Sequence, residues 1–110
     1  FQRFTPHTIV CKEELWEEML RIRENGYALD REESSPGVEC VASVVVDQTG
    51  YPQAAISVSS ATRLSKEPEL THFSKLVCSA CRDASRAIGG SLGTHQNLWF
   101  HEVMEKRGLE

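Results

Sequence analysis

The 110-residue sequence has no apolar run approaching the roughly 20 residues that a membrane-spanning helix requires. Its first residues show no basic segment followed by an apolar one, so the expected location is the cytoplasm. Clusters of Lys and Arg are also missing, and the net charge is −4, so the chain by itself is not expected to bind DNA. We find no nucleophile–base–orienter set, no phosphate-cradling glycine loop and no supported carboxylate pair. Glu32 and Glu33 are adjacent on a predicted strand, point to opposite faces and so cannot act as a dyad. The expectation is a protein that is not an enzyme and needs neither metal nor cofactor.

The cysteines and histidines give the same answer. Cys78-Ser79-Ala80-Cys81 is a C-x-x-C, but it falls in the middle of a predicted helix rather than at a helix N-terminus, where the dipole would activate a thiol. No second pair stands at zinc-site spacing, and in a cytosolic protein Cys11, Cys40, Cys78 and Cys81 are read as reduced thiols. His7, His72, His95 and His101 are scattered, with His95 and His101 on different faces of any helix.

What remains is an ordinary globular composition, 40% apolar and 25% charged, sufficient for one domain with a modest core. Leu15, Met19 and Ile22, widened by Trp16 and Leu20, predict a helix over Lys12–Asn25. Gly26 is placed to close it in the left-handed conformation, and Cys11 stands at the N-cap, where Ser, Thr or Asp would cap better by about 1 kcal/mol.

Three strands are predicted next, Tyr27–Glu33, Glu39–Asp47 and Pro52–Ser60. Their connections, Ser34-Ser35-Pro36-Gly37 and Asp47-Gln48-Thr49-Gly50, are short enough to force antiparallel pairing. Alternation puts Ile56 and Val58 on a helix-covered face, and Ala55, Ser57 and Ser59 on the other. A solvated outer face is one reading of the serine side. Cys40, Ala42 and Val44, which share one face of the neighbouring strand, favour a half-apolar concavity suited to a small polar ligand.

A polar connection over Arg63–Glu67 leads to a second helix, from Pro68-Glu69 to about Ile88, with an apolar stripe of Leu70, Phe73, Val77, Ala80, Ala84 and Ala87. Gly89 and Gly90 are expected to fray its end. Thr94–Glu110 forms a separate tail, which could cap a short helix bearing Leu98, Trp99, Val103 and Met104. The domain proper is accordingly drawn as 1–93 and the tail as 94–110.

The ordered set Gly26-Tyr27-Ala28-Leu29-Asp30, Glu32-Glu33, Gly37-Val38-Glu39-Cys40-Val41-Ala42 and Ala54-Ala55-Ile56-Ser57-Val58-Ser59 resembles the effector-binding domain of the IclR (isocitrate lyase regulator) family of bacterial transcription factors. The resemblance runs from residue 5 to about residue 93. It implies an α/β (α+β) fold, an antiparallel sheet with packed helices of the GAF-like or profilin-like type. It also implies a transcriptional regulator, such as a repressor, that works as a homodimer or homotetramer. DNA would be read only through an N-terminal winged helix-turn-helix, which together with the first half of the effector domain would lie upstream of Phe1. The implied ligand is a small organic acid: a sugar acid, a 2-oxo acid or an aromatic acid.

Carried over one at a time, the family's effector contacts fall on Asp30, Val38, Cys40, Ser57 and Ser59. From local sequence alone, Asp30 reads as an exposed carboxylate neutralised by Arg31 or by a neighbouring strand. In the pocket it would accept hydrogen bonds from ligand hydroxyls, with the acid end of the ligand on Ser57, Ser59 and amides near Gly37 and Val38. A small α/β enzyme with Cys40 as nucleophile and a purely structural oligomerisation unit are the competing readings.

Overall fold

The computed structural model describes residues 1–62 and 67–90. It contains α1 (Lys12–Asn25), β1 (Ala28–Arg31), β2 (Val38–Val46), β3 (Pro52–Ala61) and α2 (Glu67–Ala87). The strands pair antiparallel in the order β1-β2-β3, so the α+β class with an antiparallel sheet is borne out. The tail over 94–110, the boundary at residue 93 and the connection at 63–66 lie outside the described residues.

α1 has the expected bounds. It starts without a side-chain cap at Cys11 and ends on Gly26, whose φ of 80° lets its N–H reach the Ile22 carbonyl at 2.8 Å. No α1 residue is fully buried. The Gly26 carbonyl accepts from the Ser43 hydroxyl at 2.6 Å and from the Cys78 thiol at 3.7 Å, which ties the end of α1 to β2 and α2.

The central strand sorts its side chains by parity. Glu39, Val41, Ser43 and Val45 are buried, while Cys40, Ala42 and Val44 are half-buried on the opposite face. α2 covers the first set. Val45, Val77 and Cys81 form the core cluster, with Ile56, Val58 and Ala84 packed against it. Each fully buried valine contributes about 1.5–3 kcal/mol relative to an exposed one.

The buried face of α2 departs from the predicted stripe. Leu70, Ser74, Val77, Cys81 and Ser85 are buried, whereas Ala80 and Ala87 are exposed. Small polar residues suit this face because the helix lies close to the sheet and the Ser85 hydroxyl has a partner there. A register shift between Val45 and Val46 leaves the Val46 N–H outside the strand ladder, and it donates to Ser85 Oγ at 3.0 Å. The sulfur of Cys81 is an inert core group, its pKa pushed up by burial. Among the described residues, no group of His, Cys, Asp and Glu could hold a metal.

The expected fraying at Gly89-Gly90 is corrected. Gly89 takes φ 88° and donates to the Arg86 carbonyl, and the Gly90 N–H donates to the Ser85 carbonyl at 2.6 Å. The two bonds make a Schellman closure. Gly90 also lies flat on β2, where a Cβ would stand 2.0 Å from the Val46 carbonyl oxygen. The glycine pair is therefore a docking device for the end of α2.

β1 is shorter than predicted. Glu32 leaves the strand with φ 59°, an uncommon conformation for a side-chain-bearing residue, so residues 32 and 33 belong to the turn. The β2–β3 turn is organised by Asp47. Its Oδ1 accepts from the Thr49 N–H at 2.8 Å and the Thr49 hydroxyl at 2.6 Å, and its Oδ2 accepts from Gln53 at 2.8 Å.

Two outcomes follow from this packing. Gly90→Ala is expected to lower unfolding free energy by about 1–3 kcal/mol, read as a lower urea midpoint with unchanged slope; an unmoved midpoint contradicts the close approach. The Thr49 hydroxyl, with further bonds from Thr49, Gln53 and Tyr51, holds the Asp47 carboxyl at about 2 against an ordinary 3.8. A depressed acid pKa stabilises the fold above the unfolded value and loses that contribution as pH falls toward the folded one. Asp47→Ala should therefore destabilise at pH 7, and the gap from wild type should close between pH 3.8 and about 2 in thermal melts.

Candidate functional site

The face that α2 does not cover carries the residues singled out from the sequence. Register places Asp30 opposite Cys40 and Cys40 opposite Ser59, so these three form one row across all three strands. Ser57 stands one row along, opposite Ala42, and Val38 stands opposite Ala61 at the start of β2. Strand parity puts all five on the same side of the sheet. Cys40 Sγ and Ser59 Oγ are 3.1 Å apart and hydrogen-bonded. Val38, Ser57 and Ser59 are exposed, and Asp30 and Cys40 are half-buried.

The local alternative for Asp30 does not fit this arrangement. Arg31 is the next residue along β1 and is registered with Glu39 on the other face. Asp30 instead accepts from the Glu33 N–H at 2.9 Å through Oδ1, which closes the turn after β1. That bond engages one carboxylate oxygen, and Oδ2 has no hydrogen bond among the described residues. Burial pushes the nearby Glu33 carboxyl upward, reinforced by the charges of Asp30 and Glu18 and opposed by the Arg31 amide.

The backbone donors expected near Gly37 and Val38 are already engaged. The Gly37 N–H donates to Glu32 Oε1 at 2.8 Å, and the Val38 N–H faces the Ser35 carbonyl at 3.4 Å. The concavity also lies beside the polar row rather than around it. A groove of about 140 Å³ runs between α1 and the sheet, walled by Met19, Ile22, Tyr27, Ala42, Val44 and Ala55, and none of the five predicted contacts lines it. The surface is thus a polar row flanked by an apolar trough.

Sequence reasoning missed Thr5 and Thr8. The Thr5 hydroxyl donates to the Glu32 carbonyl and the Thr8 hydroxyl to the Glu33 carbonyl, each at 2.5 Å. The same two oxygens accept backbone N–H groups of their own turn, Thr5 from His7 at 3.1 Å and Thr8 from Thr5 at 2.9 Å. The signal available in the sequence is Thr-Pro-His-Thr, which has the composition of a turn built by side-chain hydroxyls.

A family model for the bacterial transcriptional regulator IclR C-terminal region matches residues 1–86. The chain belongs to the IclR family. It is 38% identical over 88 residues to the HTH-type transcriptional repressor AllR of Escherichia coli K12, a match covering 80% of this chain and 32% of AllR. It is similar to the Thermotoga maritima IclR structure, with a TM-score of 0.76 and 34% identity over 80% of this chain and 36% of that one. It is also similar to the inducer-binding domain of a PobR double mutant from Acinetobacter, solved as a complex with 3-hydroxybenzoic acid. There the TM-score is 0.66, with 26% identity over 81% of this chain and 49% of that one.

The chain spans about a third of the length of the curated relatives it matches. The relatives that this IclR chain matches are named as transcriptional regulators and repressors, not as enzymes. No helix among the described residues is long and apolar enough to cross a membrane.

Proposed function

We propose that this chain is the effector-sensing part of an IclR-type regulator and that a small organic acid binds on the open face, across the Asp30–Cys40–Ser59 row and Ser57. The observation that carries the reading is the register: a carboxylate, a thiol and a hydroxyl from three different strands stand side by side on the face that α2 leaves uncovered. The PobR domain supports the class of ligand, since the molecule in its complex is an acid that also bears a hydroxyl.

The chemistry assigns the two ends of such a ligand. An ionised Asp30 can only accept hydrogen bonds, so its Oδ2 takes a ligand hydroxyl or a hydrated carbonyl and repels a carboxylate. The acid group then lies toward Ser57 and Ser59, whose hydroxyls donate to it. The Cys40 sulfur supplies contact area in the middle of the row, and Val38 supplies it one row away on the same strand. Binding would shift the population of the regulator's dimer or tetramer arrangements and so alter DNA affinity through its separate DNA-reading module, with a coupling of about 1–3 kcal/mol.

The test is the Ser57→Ala/Ser59→Ala double variant in the regulator carrying this domain, titrated with gluconate, pyruvate and 3-hydroxybenzoate. Hydrogen bonds to a charged group contribute about 1.5–3 kcal/mol each, so effector response should be abolished, with folding and DNA binding retained. Unchanged effector affinity contradicts the assigned face.

A further inference from the structure

We propose that Thr5 and Thr8 are positioning residues for the effector site: they form a two-hydroxyl clasp that sets the direction of the Asp30 carboxylate. The inference rests on the reading of Asp30 as an effector contact and adds to it a physical link to the segment before α1.

The chain of contacts is continuous. Asp30 Oδ1 is held by the Glu33 N–H at 2.9 Å, so the carboxylate points where that amide points. The amide belongs to the connection between β1 and β2, where Glu32 sits at φ 59° without being glycine. A residue in that conformation persists when its surroundings over-determine it. The connection's own bonds, from the Glu32 N–H to the Val38 carbonyl at 3.0 Å and from the Gly37 N–H to Glu32 Oε1 at 2.8 Å, are joined by the two threonines, whose hydroxyls bond the carbonyls of Glu32 and Glu33, one each. Thr5 is buried, although its neighbours Phe4 and Pro6 are exposed, which marks it as an anchor rather than a surface residue.

Each hydroxyl is also an acceptor for backbone N–H groups of the segment that carries it. The clasp therefore bonds in both directions, with the N-terminal turn folded around the same oxygens that grip the β1–β2 turn. A ligand that pulls on Asp30 pulls on Glu33, and through the two carbonyls on Thr5 and Thr8. The converse also holds: a shift of the N-terminal segment reorients Asp30. By linkage, such a coupling works in both directions with equal strength.

The experiment has one arm that needs no effector and one that does. Amide hydrogen exchange at Glu33 is measured in the wild-type chain, Thr8→Val and Thr8→Ser, with the Val45 amide as reference. Losing one hydrogen bond from the clasp should speed Glu33 exchange about 5- to 10-fold in Thr8→Val while leaving Val45 unchanged, and Thr8→Ser should restore it. Glu33 exchange that stays at the wild-type rate, or that rises only in step with Val45, overturns the clasp. In the regulator, Thr8→Val should weaken binding of the acid recognised by the wild type about 3- to 10-fold, and Thr8→Ser should rescue it. Equal affinity of Thr8→Val and wild type overturns the positioning role. If the wild type binds none of the three acids, the effector reading fails instead, and the exchange arm still decides whether the clasp exists.

Discussion

The packing of α2 against one face of β2 is the constraint on which the rest of the molecule depends. Val45, Val77 and Cys81 make a small dry contact, extended by the bond from the Val46 amide to the Ser85 hydroxyl and by the flat seating of Gly90 on Val46. Because a strand alternates its side chains, burying Val41 and Val45 commits Cys40, Ala42 and Val44 to the opposite side. The uncovered surface is in this sense a by-product of the core. Any substitution that slipped β2 by one residue would exchange the two faces and lose both.

The open face owes its character to residues too small to fill it. Ala28, Ala42 and Ala55 leave a trough beside α1, and Ser57 and Ser59 put hydroxyls at its flank. Asp30 adds a charge whose direction is set through the turn that follows it. The N-terminal segment, which has no regular secondary structure, reaches the β1–β2 turn through two hydroxyls. A polar clasp of this kind costs little to open compared with a packed core.

Much of this was legible in the sequence because it depends on local periodicity. The spacing of Leu15, Met19 and Ile22 with Gly26 behind them fixes α1, and two short turns fix an antiparallel sheet whose serine face opposes Ile56 and Val58. The illegible parts depend on contacts between distant residues. The buried stripe of α2 includes Ser74 and Ser85 and omits Ala80 and Ala87, because what it meets is a close-lying strand with a free amide at a bulge. Gly89-Gly90 reads as a weak helix end until Val46 is seen beneath it. The amides of Gly37 and Val38 look available until Glu32 folds back with φ 59° and its carboxylate takes the first of them. Resemblance to a family supplied the five candidate positions, and it was silent on Thr5 and Thr8.

The most direct measurement of the central claim is a crystal structure of the regulator grown with the acid to which it responds. The account predicts ligand density on the side of the sheet away from α2, with a carboxylate within hydrogen-bond distance of Ser57 or Ser59 and a hydroxyl or hydrated carbonyl on Asp30. Density lodged elsewhere, with that side of the sheet closed over by protein, would contradict it.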